Sequence, residues 1–194
     1  VIVESEPEKM VSENIEQTFY SVLRDEKLAL LLYILRTEPY DRVLIFGNRK
    51  DVNLRLQYDL ARFGYEVPVL SGDIPQEKRI KVLERFRAGT EKIVIATDVA
   101  ARSIHVDDVS LVINYGLPER AEDYVHRIGR TGRAGHNGKS ISFLCEYGAY
   151  YLPDIEKLLD VQFHSTQPTE DMLKMPEPVP GAKLPKREAD RHSS

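Results

Sequence analysis

Apolar residues in this chain fall into short unbroken runs that alternate with segments of helical spacing. Val43-Leu44-Ile45-Phe46, Ile93-Val94-Ile95-Ala96 and the stretch from Ser110 to Tyr115 are runs of the first kind. Such runs fit strands buried on both faces of a sheet. Between them the period changes. Leu28, Leu31, Leu32 and Leu35 share one helical face, as do Val52, Leu56 and Leu60, and again Ile80, Leu83 and Phe86. The punctuation agrees: Asp25 can cap the first helix and Pro39 ends it, Gly64 stops the second, and Pro75 and Gly89 bracket the third.

This pattern predicts strands at 14–23, 42–46, 66–70, 92–96, 110–115 and 140–145, with further helices at 122–128 and 147–159. Strands alternating with helices over short connections predict an α/β domain, a parallel sheet with helices on both faces. In such sheets ligands bind outside the carboxyl ends of the strands. Asn48, Gly72, Thr97 and Asp98 fall there. Residues 1–12 are polar and acidic and read as a linker, 13–164 as the domain, and 165–194 as a disordered tail holding five of the eleven prolines. No internal repeat is visible.

Composition narrows this only a little. With 194 residues, 42% hydrophobic and 30% charged, the chain can bury a core without staples. Its single cysteine, Cys145, excludes an internal disulfide and fits a reducing, cytoplasmic setting. Cys145 reads as a buried apolar residue. No apolar run approaches membrane-spanning length. The opening residues have neither the basic start nor the apolar stretch of a signal peptide and read as a chain entered partway. The five histidines have no metal spacing. A net charge of −4 argues against general nucleic-acid binding, so any such contact needs a local basic patch. Arg120, Arg127, Arg130 and Arg133 supply one.

The run His126-Arg127-Ile128-Gly129-Arg130-Thr131-Gly132-Arg133 is the sharpest signal. An arbitrary Arg-Gly stretch is more often a solvated loop. Here glycines allow tight turns and the arginines offer forked, permanently charged groups suited to phosphate. The octet resembles motif VI of the DEAD-box RNA helicases at every position. Ala96-Thr97-Asp98-Val99-Ala100-Ala101-Arg102-Ser103-Ile104 resembles their motif V, Val43-Leu44-Ile45-Phe46-Gly47-Asn48 their motif IV, and Gln76-Glu77-Lys78-Arg79 their Gln-x-x-Arg element. The residues from Ser140 to Glu156 look closest to the bacterial RhlB group.

The resemblance implies the C-terminal RecA-like domain of an ATP-dependent RNA helicase, a three-layer sandwich with a mainly parallel sheet. It implies that Arg130 and Arg133 are arginine fingers reaching the γ-phosphate of ATP, whose Mg2+ and phosphates sit mainly on an N-terminal RecA-like partner domain. It implies RNA-backbone contacts from Asn48, Gly72, Arg79 and Thr97, and supporting roles for Gln76 (orienting Arg79), Asp98, His126 and Arg127. Ser103 and His105 would lie at the nucleotide, yet both depart from the pattern. Ser103 replaces the family's glycine, with backbone strain if φ there is positive. His105 replaces an Asp common in the family. The same resemblance implies unwinding of RNA without sequence preference, a link to bacterial mRNA decay and a ribonuclease E-type partner. A second reading, a non-catalytic RNA- or protein-docking module, stays open.

No Asp-Glu-Ala-Asp box occurs in these residues. Gly138-Lys139-Ser140 mimics the end of a P-loop, but the required upstream glycine position is Arg133 and the run leads into a predicted strand.

Overall fold

In the computed structural model, which describes residues 11, 13–103, 105–133 and 135–186, the predicted alternation becomes a parallel sheet covered on both faces. The strands are β1 (Ile15–Ser21), β2 (Val43–Phe46), β3 (Val69–Leu70), β4 (Ile93–Ala96), β5 (Leu111–Asn114), β6 (Gly138–Leu144) and β7 (Ser165–Thr166). The helices are α1 (Lys27–Thr37), α2 (Lys50–Arg62), α3 (Gln76–Ala88), α4 (Asp98–Ser103), α5 (Ala121–Ile128) and α6 (Leu152–Leu159). The sheet order is β3-β4-β2-β5-β6-β1-β7, with every pairing parallel.

The unbroken apolar runs have the physical meaning expected of them. On β2, Val43 and Ile45 join the core beneath α1 and α2, while Leu44 and Phe46 join the core beneath α3 and α4. A strand that feeds two cores has no polar face to show. A third cluster, around Phe19, Tyr124, Ile128 and Ile155, seats α5 and α6 beside β1. The three-layer α/β sandwich is therefore formed, and its sheet is parallel throughout.

Local details differ from the sequence pattern for identifiable reasons. Asp25 does not cap α1. A 3-10 turn at Arg24–Glu26 precedes the helix, and the Glu26 carboxylate accepts the Leu23 backbone N–H at 2.9 Å instead. The strand expected at 66–70 shrinks to two residues because Pro68 has no N–H to give the ladder. Its carbonyl still accepts from the Ile95 N–H at 3.0 Å. Residues 98–103, where the sequence pattern predicted no helix, form the short helix α4. The P-loop mimic is strand, as expected, since Gly138 opens β6.

The largest departure is the Pro-rich segment after residue 164. Rather than an unstructured tail, β7 extends the sheet beside β1, with Phe19 opposite Ser165, and the Ser21 hydroxyl donates to the Ser165 hydroxyl at 2.8 Å. A 3-10 turn at Asp171–Leu173 then lays Met172 and Leu173 against the α1–α2 core. The Val179 N–H donates to the Arg62 carbonyl at 2.8 Å, which ties the strap to the end of α2. Prolines lack helical and strand periodicity but restrict φ, so an aperiodic strap loses less entropy on docking than its composition suggests. The linker expected over 1–12, apart from residue 11, and the last residues 187–194 lie outside the described residues.

Candidate functional site

The carboxyl ends of β2, β4 and β5 meet the C-terminal end of α5, and one side chain joins them. Arg127 is 1% exposed and is the largest fully buried side chain. Its Nε and Nη2 donate to the two carboxylate oxygens of Asp98 at 2.7 and 2.8 Å. Nη2 also donates to Asn48 Oδ1 at 2.6 Å, and Nη1 to the Gly116 carbonyl at 2.8 Å and Asn114 Oδ1 at 3.3 Å. The guanidinium carbon lies 5.1 Å from the centre of the Phe46 ring. A buried arginine is tolerated only when its charge is paired and its N–H groups are used, and both conditions hold. Arg127 thus binds the ends of three strands into one unit.

This arrangement changes what two predicted residues offer. The Asn48 side chain is committed inward: its Oδ1 accepts from Arg127 and its Nδ2 donates to the Leu117 carbonyl at 2.9 Å. Both carboxylate oxygens of Asp98, expected to hold its own turn, serve Arg127. Thr97 follows β4, and its hydroxyl accepts the Ala100 N–H at 3.3 Å, the bond of an N-cap.

Beyond Arg127 the chain leaves α5 in a tight turn. The Val109 peptide clasps it from both sides: its N–H donates to the Arg130 carbonyl at 3.1 Å and its carbonyl accepts from the Thr131 hydroxyl. Gly132 follows at φ +70, and a Cβ there would come within 2.6 Å of Ile15 Cγ1. Only glycine meets both demands. The turn sets Arg130 and Arg133 side by side. Arg130 Nη1 and Arg133 Nε both lie 3.6 Å from the same oxygen, Asp107 Oδ1. Arg133 Nε also donates to the Gly129 carbonyl at 2.7 Å. Neither approach is a hydrogen bond, and the single Nε hydrogen of Arg133 goes to Gly129, but two guanidinium charges beside one carboxylate oxygen mark a place that fits an anion such as phosphate. Burial pulls Arg130 below the usual arginine range, the Asp107 charge opposes this, and Arg133 adds to it. Nothing in the sequence singled out Asp107. Its role depends on two arginines more than twenty residues away, and a lone Asp in a loop carries no local signal.

A second cluster lies at the ends of β3 and β4. The Asp73 carboxylate accepts from the Lys50 ammonium and the Ser71 hydroxyl, each at 2.6 Å, and these bonds pull its pKa down to about 2. Arg79, on the first turn of α3, donates from Nη2 to the Gly72 carbonyl at 3.3 Å and from Nη1 to the Ser103 hydroxyl at 3.4 Å. Gln76 is exposed and is not among its partners, so the expected orienting pair does not form. The strain expected at Ser103 is also absent. Among the described residues the non-glycine positions of positive φ are Asp108 and Asp160, and Ser103 simply ends α4. His105 is exposed, and its carbonyl accepts from Arg87 at 3.2 Å. His126 lies outward on α5, 62% exposed, with Nδ1 3.9 Å from Asp123. Ile104, within the motif V run, lies outside the described residues.

Comparison with known proteins places this geometry. Residues 26–135 match the model of the helicase conserved C-terminal domain. The chain is 49% identical over 179 residues to the ATP-dependent RNA helicase RhlB of Pseudomonas putida, covering 92% of this chain and 44% of that protein. It is 47% identical over 160 residues to RhlB of Shewanella baltica, covering 82% and 36%. The chain thus spans less than half the length of these relatives. Among solved structures, E. coli DEAD-box protein SrmB bound to regulator of ribonuclease activity A superimposes with a TM-score of 0.74 at 30% identity, covering 89% of this chain and 98% of that one. The C-terminal domain of the DEAD-box protein Dbp5 gives 0.71 at 32% identity, covering 79% and 89%.

Proposed function

The chain belongs to the DEAD-box helicases as their conserved C-terminal domain, and from that premise we propose that it is the RecA-like half of an RNA helicase that supplies arginine fingers and RNA-backbone contacts to a composite ATPase site. One observation carries the proposal. Arg130 and Arg133 converge on a single anionic oxygen, from a turn anchored by the buried Arg127. In this reading Asp107 occupies the place that a phosphate takes when ATP bridges the two domains. The fingers would stabilise charge developing on the transferred phosphoryl group, an effect of roughly 10³–10⁵ in rate where it has been measured. ATP and its Mg2+ rest mainly on the N-terminal RecA-like domain.

RNA lies along the ends of β3 and β4, at Gly72, Arg79 and Thr97. Asn48 contributes through its position, because its side chain is already bonded on both sides. Contacts of this kind reach phosphate and sugar, so no sequence preference follows. Closure of the two domains over ATP and RNA bends the strand out of pairing, and phosphate release reopens the cleft. Asp98 and Arg127 keep the cluster rigid, and His126 and His105 stand exposed at its edge. Gln76 sits on the exposed first turn of α3. We extend the proposal, from the resemblance to the RhlB group, to RNA turnover in the cytoplasm beside a ribonuclease E-type partner. Among the described residues no helix is long and apolar enough to cross a membrane. In the docking-module alternative Ser103 would mark a lost catalytic role; its backbone carries no positive-φ strain.

The decisive experiment joins the chain to its N-terminal RecA-like domain and measures RNA-stimulated ATP turnover. The isolated chain is expected to show none and the joined protein to be active. Arg130→Ala should lower turnover by about 10³-fold while circular dichroism stays unchanged. Undiminished turnover would remove the finger assignment.

A further inference from the structure

Ser103 occupies a glycine position of its family, and its hydroxyl is doubly engaged. It donates to the Ala100 carbonyl at 2.9 Å, the bond that closes the last turn of α4. A hydroxyl has one hydrogen. With that hydrogen placed on Ala100, the oxygen meets Arg79 Nη1, 3.4 Å away, as an acceptor. The polarity of the contact is therefore set, and glycine could not provide it.

The state of Arg79 shows what the contact does. Its Nη2 is tied to the Gly72 carbonyl at 3.3 Å, while its Nε is buried and has no hydrogen-bond partner. The guanidinium is braced at both terminal nitrogens, by a loop on one side and by α4 on the other. Each terminal nitrogen keeps one N–H beyond the bond already made. Two N–H groups held in one plane form the fork that receives a phosphate, and holding it before binding avoids ordering a long side chain later.

We propose that Ser103 is a positioning residue for RNA binding: its hydroxyl, fixed by the Ala100 carbonyl, locks Arg79 as a preformed fork for an RNA phosphate. This rests on the reading that Arg79 contacts RNA, and it makes Ser103 an added brace where backbone strain was expected.

The test uses the joined two-domain protein and a fluorescent single-stranded RNA, with anisotropy read across a salt series and ATPase kinetics in parallel. Ser103→Ala is expected to raise the RNA Kd about threefold to tenfold, the range of one long, exposed hydrogen bond from a guanidinium. KM for RNA in the ATPase assay should rise by the same factor. Ser103→Thr, which keeps the hydroxyl, should recover most of the affinity. Arg79→Ala should weaken binding and reduce the salt slope by about one. Adding Ser103→Ala to it should cost nothing more, because the hydroxyl then has nothing to hold. An unchanged RNA Kd in Ser103→Ala, or a loss that persists beside Arg79→Ala, overturns the proposal and leaves the RNA reading of Arg79 intact. An unchanged Kd in Arg79→Ala overturns both.

Discussion

Replacing Arg127 with alanine should unfold this domain more readily than any other single change at the site. The substitution removes five donated hydrogen bonds from one pocket. The Asp98 carboxylate loses two charge-assisted bonds, and Asn48, Asn114 and the Gly116 carbonyl lose one each. Side-chain exposure is 1% for Arg127 and 19% for Asp98, so water replaces these bonds poorly. Breaking one side of a buried pair costs about 3–5 kcal/mol because the remaining charge stays desolvated. The lost guanidinium–Phe46 contact adds to this. A domain of ordinary stability, about 5–15 kcal/mol, would lose about a fifth or more of it. In urea, with a slope of about 2 kcal/mol/M, the midpoint should fall by about 1.5–2.5 M. Arg127→Lys keeps the charge but lacks the fork, so it should recover only part of the loss. Combining Arg127→Ala with Asp98→Ala should cost clearly less than the sum of the two, by about 1 kcal/mol or more. A midpoint shift under about 0.5 M, or strict additivity, would refute the idea that Arg127 organises the strand ends.

Two further outcomes are expected. Ending the chain after residue 164 removes β7, the Met172–Leu173 contact and the Val179–Arg62 bond, and should lower stability by about 1–3 kcal/mol with amide exchange accelerating first in α1 and β1; unaltered exchange would show that the strap adds nothing. The Asp73 carboxyl, held down to about 2, should keep its bonds to Lys50 and Ser71 at neutral pH. Because its folded pKa lies below the unfolded one, its contribution is complete above about pH 4 and fades as pH falls toward 2. Carbon-13 shifts of its side chain should titrate near 2, and Lys50→Ala should move that titration upward. A midpoint near 4 in the unaltered chain would contradict the pairing.

Much of this molecule was legible along the chain because the relevant signals are local. An unbroken run such as Val43–Phe46 declares a strand with two buried faces, and four leucines at helical spacing declare a helix against it. The octet ending in Arg133 carried its own recognition, and one of its two glycines now has a backbone reason: Gly132 sits at φ +70 against Ile15. The parallel architecture followed from the alternation alone.

Other properties were decided only when distant residues met. Arg127 reads as a surface arginine in sequence. It is buried because Asp98, Asn48, Asn114 and Gly116 surround it, and Asn48 is 79 positions away. Asp107 gained meaning from two arginines that a turn brought to one oxygen. Ser103 looked like a strained substitution until its φ and its two hydrogen bonds were visible. The Pro-rich strap lacks the periodicity that marks helices and strands, yet it closes one edge of the sheet beside β1. Periodicity reports which face of an element is apolar. Which charges pair, and which polar atoms are left to bind something else, depends on desolvation and geometry across the sheet, and that is settled only in the folded state.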